Sequence, residues 1–166
     1  MKVESPVGEI LQDKYGVLLG PFVSSPGTSF LRERDLNMRT IREWAVSGTG
    51  PVQCSRTEAT FTISSSIAKK DGLELYPDIH SYFLAWSVDE RYKQELQTAF
   101  GIKSNILENY FGKAKGMDSF LQMVTINRVT GTGTLKLKNK DPFEQPLLDP
   151  KYLQNPRDMA VLLEGV

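Results

Sequence analysis

The sequence predicts an α+β domain, a mostly antiparallel sheet with helices packed on one face. Three observations lead there. Four short runs, at 58–66, 78–86, 120–129 and 132–138, alternate polar with apolar residues or are rich in β-branched and aromatic ones. Apolar residues at helical spacing occupy 37–48, 87–101, 104–112 and the stretch from Asn155 onward. The two kinds of element do not alternate as regular βαβ units, so a parallel sheet is disfavoured.

A chain of 166 residues is one domain by size and can bury a real core. Its 20 basic and 20 acidic residues balance, so no global field draws it to nucleic acid or to an acidic membrane. No apolar run approaches the roughly 20 residues of a membrane span. The start, MKVESPVGEIL, has no apolar signal core, and this leaves the compartment unread. One cysteine, Cys54, forms no internal disulfide, and one Cys with one His gives no zinc-type ligand set.

Residues 1–36 read as an irregular, extended segment, because short apolar pieces are broken by Gly and Pro. A helix begins at Asn37, with Ile41, Trp44 and Ala45 on one stripe, and closes at Gly48. Thr49-Gly50-Pro51 forces a turn. Glu58 to Ser66 is expected to be a half-buried strand and Asp78 to Trp86 a second strand. Ser87 and Glu90 have the spacing of a capping box that opens a helix carrying Val88, Tyr92, Leu96 and Phe100. A short helix follows from Ser104 to Gly112. Phe120 to Val129 and Thr132 to Lys138 are strands, with Thr130-Gly131 suited to join them as a hairpin. Asn155 as N-cap and Pro156 at the first helical position start a last helix, with Met159, Leu162 and Leu163 expected on its buried face.

The most informative stretch is Asp141 to Asp158, DPFEQPLLDPKYLQNPRD, preceded by TGTGTLKLKNK. Pro142, Pro146, Pro150 and Pro156 rule out a continuous helix or a central strand. The order of Gly133, Thr134, Leu135, Leu137, Asp141, Pro142, Phe143, Pro146, Leu148, Asp149, Pro150, Tyr152, Leu153 and Asp158 resembles the C-terminal half of the glucose–methanol–choline (GMC) flavoprotein oxidoreductases. Pro6 to Lys14, PVGEILQDK, is similar to that family's PVG-E-N-L-Q-D-H loop, with Ile10 in place of the Asn and Lys14 in place of the His. GTGP (Gly48 to Pro51) and PDI (Pro77 to Ile79) match in the same order, and insect-type members look nearest.

This resemblance implies a substrate-binding domain (37–166), joined through 1–36 to a flavin domain, in a protein that moves hydride from an alcohol carbon to FAD. It implies a small-molecule alcohol as substrate, and no nucleic-acid or membrane partner is expected. Two family features are absent from the sequence: the GxGxxG flavin fingerprint and the C-terminal catalytic His. The chain is therefore expected to be a fragment or short product. It should bind no FAD by itself, hold no catalytic residue and no metal, and self-associate through surface the flavin domain would cover. A stand-alone, non-catalytic binding module is the alternative.

His80 is the only histidine; no Ser or Asp spacing around it suggests a triad, so a half-buried sheet position is expected. Trp44 is expected in the core and Trp86 at a strand end. Asp141 and Asp149 precede prolines, where turn chemistry accounts for them, and Asp158 suits a helix N-terminus. Glu144 has no partner carboxylate at a defined separation. Lys136, Lys138 and Lys140 alternate, as on a solvated strand face. Substrate contacts are expected from residues paired by two on successive strands: Phe61 and Ile63, His80 and Tyr82, Gln122 and Val124. Ile79, Phe83 and Met123 would then face the helix stripe of Tyr92, Leu96 and Phe100.

Overall fold

A computed structural model describes residues 5–166. Six strands and six helices follow in chain order: β1 (Gly16–Val23), α1 (Arg32–Asp35), α2 (Met38–Ser47), β2 (Ala59–Ile63), α3 (Ser66–Lys70), β3 (Ile79–Leu84), α4 (Glu90–Phe100), α5 (Ser104–Phe111), β4 (Ser119–Ile126), β5 (Thr134–Lys136), β6 (Leu147–Asp149) and α6 (Pro156–Gly165). β1 to β4 form an antiparallel sheet in the order β1-β4-β3-β2, with helices packed against it, and β5 pairs with β6 separately. The fold class is the α+β arrangement that the sequence predicts.

The contacts group the chain into two compact units, one made of Met1–Val17, Thr62–Ser81 and Val124–Val166, the other of Leu18–Phe61 and Tyr82–Met123. In the second unit the core is Phe30, Trp86, Val88, Tyr92, Leu96, Leu107, Phe111 and Leu121. Asp89 caps α4 by accepting from the Tyr92 amide at 2.6 Å, and Gly101 closes it in the left-handed region. The cap lies two residues beyond the expected Ser87. Ser87 is instead fully buried and shares a hydrogen bond with the Ser29 hydroxyl at 2.8 Å. α2 starts where the sequence places it. Asn37 accepts from the Arg39 and Thr40 amides, and Thr40 Oγ1 accepts from the Asn37 amide. Its apolar stripe is not core, however. Trp44 is 49 % exposed and Ile41 38 %, while the only buried side chain of the helix is Thr40.

In the first unit, PVGEILQDK lies beside the β5–β6 ladder. Leu11 and Gly133 exchange both backbone hydrogen bonds, at 3.0 and 2.8 Å, and the Gly8 carbonyl accepts from Leu135. Gly8 has φ +84°, and a Cβ there would stand 2.1 Å from the Leu135 carbonyl oxygen, so only glycine fits. β5 pairs Thr134 with Asp149, Leu135 with Leu148 and Lys136 with Leu147. The expected hairpin through Thr130-Gly131 therefore does not form. The amides of those two residues donate instead to the Asp158 carboxylate. On α6, Asn155 caps as expected. Val161 and Leu162 are buried, but Leu163 is 67 % exposed because the buried stripe runs through Asp158, Val161 and Leu162.

The stretch 1–36, expected to be irregular, contains β1 and α1, with residues 1–4 outside the described residues. Gly20-Pro21 reads as a breaker, yet β1 is an edge strand, where a residue without N–H is tolerated. β2 is the other edge and is exposed along its whole length, where a half-buried strand is expected.

Candidate functional site

The structure separates the six residues expected to contact substrate. In the first unit, Val124 is 0 % exposed and lies beside Ile79 beneath α6: a Cβ on Gly165 would meet Val124 Cγ1 at 2.6 Å and Ile79 Cγ2 at 2.9 Å. The Asp78 carbonyl accepts from the Asn127 amide, and the His80 carbonyl accepts from Thr125 Oγ1. This antiparallel register puts His80 opposite Thr125, on the face away from Val124 and Ile79. His80 and Val124 therefore lie on opposite faces, where one shared inward face is expected for all six residues. His80 is half-buried and Ile63 is exposed.

In the second unit, Phe61 is exposed, and Tyr82 and Gln122 are half-buried. Phe83 stacks on Phe120 with centroids 5.0 Å apart, and Phe120 on Phe22 at 5.1 Å. The residues packed with Tyr92 and Leu96 are Leu121, Leu84 and Leu18, not Phe83 and Met123. Phe100, the last of the expected stripe, is 66 % exposed. A one-residue slip in assigning a strand inverts its faces, and periodicity alone cannot set that register.

The second unit also carries a cleft of about 540 Å³, lined by Thr28, Phe30, Arg34, Asp35, Pro51, Cys54, Glu58 and Ala85 among others. Its polar wall is built around one guanidinium. Arg34 Nε donates to Asp35 Oδ1 at 2.7 Å and Nη1 to Asp118 Oδ2 at 2.7 Å. Nη2 donates to the Ser29 carbonyl, to Asp35 Oδ2 and to Asp118 Oδ1. Asp118 also accepts from the Ser29 amide and hydroxyl. Arg34 holds the Asp35 carboxyl below the usual carboxylate range, against the opposing effect of burial. Burial pushes Asp118 up, but Arg34 and the Ser29 donors outweigh it and bring it down to about 2. Both carboxylates are thus ionised at neutral pH. Also lining the cleft, Cys54 donates its S–H to Glu58 Oε1 at 2.9 Å; burial and then Glu58 push the thiol pKa up, so it is not a poised nucleophile.

Sequence reasoning did not find this network. Arg34 and Asp35 lie in a stretch that reads as irregular, and Asp118 is 83 residues beyond Asp35 in a turn with no periodic signal. The carboxylates weighed beforehand have the structural roles expected of them. Asp141 Oδ1 accepts from Phe143 N at 3.0 Å, Asp149 Oδ1 from Lys151 N at 3.3 Å, and Glu144 pairs with Lys138. Among the described residues, no three His, Cys, Asp or Glu side chains are grouped to hold a metal ion.

A flavin pyrophosphate needs free amides at a helix N-terminus. The two glycine-rich turns do not offer them. A Cβ on Gly50 would stand 2.9 Å from the Glu43 carboxyl carbon, so that turn is closed by an anion. The Gly131 amide already donates to Asp158 at 2.8 Å, and a Cβ on Gly133 would meet the Asp149 carbonyl oxygen at 2.1 Å. The residues of these turns do not fit FAD.

The architecture is that of an α+β sheet module with a cleft on one unit. No protein-family model matches the chain. The chain is similar to "Neither inactivation nor afterpotential protein G" of Drosophila melanogaster, with 22 % identity over 161 residues that cover 96 % of this chain and 26 % of that protein. It is thus a distant relative of a GMC oxidoreductase and spans about a quarter of the length of the curated relative it matches.

Proposed function

We propose that this chain is the substrate-binding portion of an FAD-dependent GMC-type alcohol oxidoreductase, in which hydride passes from a CH–OH carbon to the flavin. The observation that carries the reading is where the exposed apolar surface lies. Val7 is 82 % exposed, Ile10 75 %, Leu137 79 % and Phe143 92 %, and all four belong to the segments that resemble the family's motifs. The paired Leu11 and Gly133 bring the two motif segments, distant in sequence, side by side. Such a surface suits cover by a further domain, and in the GMC family that cover is the flavin domain. The relative's alignment along nearly the whole chain points the same way.

On this reading the chain supplies the alcohol's pocket wall, while the flavin site and the base belong to other parts of a longer polypeptide. Phe61 and Tyr82 in the second unit are the alcohol contacts we assign; Gln122 lies on the strand face opposite that of Tyr82. Val124, fully buried, supports its strand from beneath. A second reading, a binding module without catalysis, is favoured by the cleft around Arg34, most of whose lining lies outside the family motifs.

The test is an amide chemical-shift titration of the purified chain with small alcohols, alongside its visible spectrum. Shifts at Phe61 and Tyr82 with no flavin colour are expected. Shifts confined to Thr28–Glu58, or a stoichiometric flavin that purifies with the chain, would refute the assignment.

A further inference from the structure

The four-stranded sheet ends in β1 on one side and β2 on the other, and the two edges differ. On β1, Pro21 has no N–H to offer a further strand. The Tyr15 carbonyl accepts from Ile126 on β4, so by alternation the Leu18 carbonyl faces outward, and the Tyr110 hydroxyl donates to it at 2.9 Å. That edge is blunted. β2 has neither protection: its sequence ATFTI holds no Pro, Gly or charge, and every residue of it is exposed. The Glu58 amide donates to the Phe83 carbonyl at 3.0 Å, which fixes the register of β2 on β3. Successive residues of an antiparallel ladder turn their backbone groups to opposite sides. Thr60 and Thr62 therefore face β3, while the N–H and C=O groups of Ala59, Phe61 and Ile63 face outward. Among the described residues no strand lies beyond them.

We propose that β2 pairs with β2 of a second copy of this chain, antiparallel and about a twofold axis at Phe61. The occupant follows from the strand's own pattern. This pairing sets Phe61 opposite Phe61 of the second copy and Ala59 opposite its Ile63. Those are the residues whose backbone groups face outward, so every outward N–H meets a C=O. On one face apolar side chains meet apolar ones; Phe61 is 45 % exposed and Ile63 43 %. On the other, Thr60 meets Thr62 of the second copy, a favourable cross-strand pair. Glu58 falls opposite Ser64 of the second copy, so no like charges are apposed. A slip of one residue would set outward-facing groups against inward-facing ones and lose the ladder. Pairing runs along the edge, so the sheet face carrying Phe61 and Tyr82 stays open. The inference rests on the sheet edge alone and not on the family reading.

Sedimentation equilibrium of the full chain at rising concentration should show a monomer passing into a dimer. Phe61→Lys and Phe61→Asp should each give a monomer with an unchanged circular dichroism spectrum, because like charges then face each other across the axis. Mixing the two variants in equal amounts should restore a dimer, a result that requires position 61 to face itself. Amide hydrogen exchange of the unaltered chain reads the register without any substitution. The Ala59, Phe61 and Ile63 amides should exchange at least about tenfold more slowly in the dimer than in the monomer. The Thr60 and Thr62 amides, which face β3, should be protected in both. A chain that stays monomeric up to its solubility limit, a dimer that survives both variants, or a mixture that stays monomeric would overturn the proposal. So would exchange at Ala59, Phe61 and Ile63 that ignores concentration, and that pattern alone decides the matter if the variants do not fold.

Discussion

Asp158 is the side chain on which the first unit should depend most. It is 1 % exposed and accepts from the Thr130 amide at 3.0 Å, the Thr130 hydroxyl at 2.5 Å and the Gly131 amide at 2.8 Å. Those bonds tie the chain after β4 to the first turn of α6. A hydrogen bond to a charged group contributes about 1.5–3 kcal/mol net, so three give roughly 4.5–9 kcal/mol before relaxation. Thr130 lies near solvent and water can reach its freed donors, which lowers the expected cost of Asp158→Ala to about 3–4 kcal/mol. At about 2–4 °C per kcal/mol for a chain of this size, the melting temperature should fall by roughly 6–16 °C. The assay is urea unfolding with the slope unchanged and the midpoint shifted. Asp141→Ala is the control: its carboxylate accepts only from a nearby amide in an exposed loop, and the loss should stay below about 1 kcal/mol. Combining Asp158→Ala with Thr130→Val should cost less than the sum of the two, since both remove one shared bond. A loss below about 1 kcal/mol for Asp158→Ala, or strict additivity of the pair, would refute the clamp.

Other consequences follow from particular contacts. Asp118, lowered to about 2 from the ordinary 3.8, is ionised more readily in the folded chain than in the unfolded one. Its contribution is present above about pH 4 and is lost as pH falls toward about 2. It amounts to about 1–2 kcal/mol once screening near the partly exposed Arg34 is allowed for. Unfolding of the wild type and Asp118→Asn across that window should converge at low pH, and parallel curves would contradict it. Gly8→Ala places a Cβ against the Leu135 carbonyl at a positive φ and should destabilise by about 2–3 kcal/mol, read by urea midpoint. Trp44→Ser, on an exposed helix face, should cost under about 1 kcal/mol, against about 2–5 kcal/mol for Leu121→Ala in the core; a larger loss at Trp44 would mean that α2 is covered.

Local signals were legible and long-range ones were not. Asn37, Gly48, Asn155 and Pro156 mark helix ends through bonds to their own neighbours, so the sequence locates α2 and α6 closely. β1 is hidden because Gly20-Pro21 looks like a break until its place at the sheet edge is known. Thr130-Gly131 has hairpin chemistry, but the buried Asp158 carboxylate outcompetes a turn for those amides. Trp44 has the right spacing for core, yet spacing does not say whether anything lies opposite. The same limit governs the candidate site. Alternation puts Gln122 with Val124, but the register that separates His80 from Val124 comes from cross-strand bonds. The Arg34 network joins residues from two distant segments, and no local pattern announces it.

The central claim is that this sequence is the substrate-binding portion of a flavin-dependent alcohol oxidoreductase. The most direct measurement is the sequence of the full-length transcript from the source organism. The account expects an open frame encoding a strand–GxGxxG–helix before the Pro6 to Lys14 segment and a conserved-type catalytic His after Val166. A transcript that encodes neither, with the protein found in its source as a flavin-free species of this length, would contradict it.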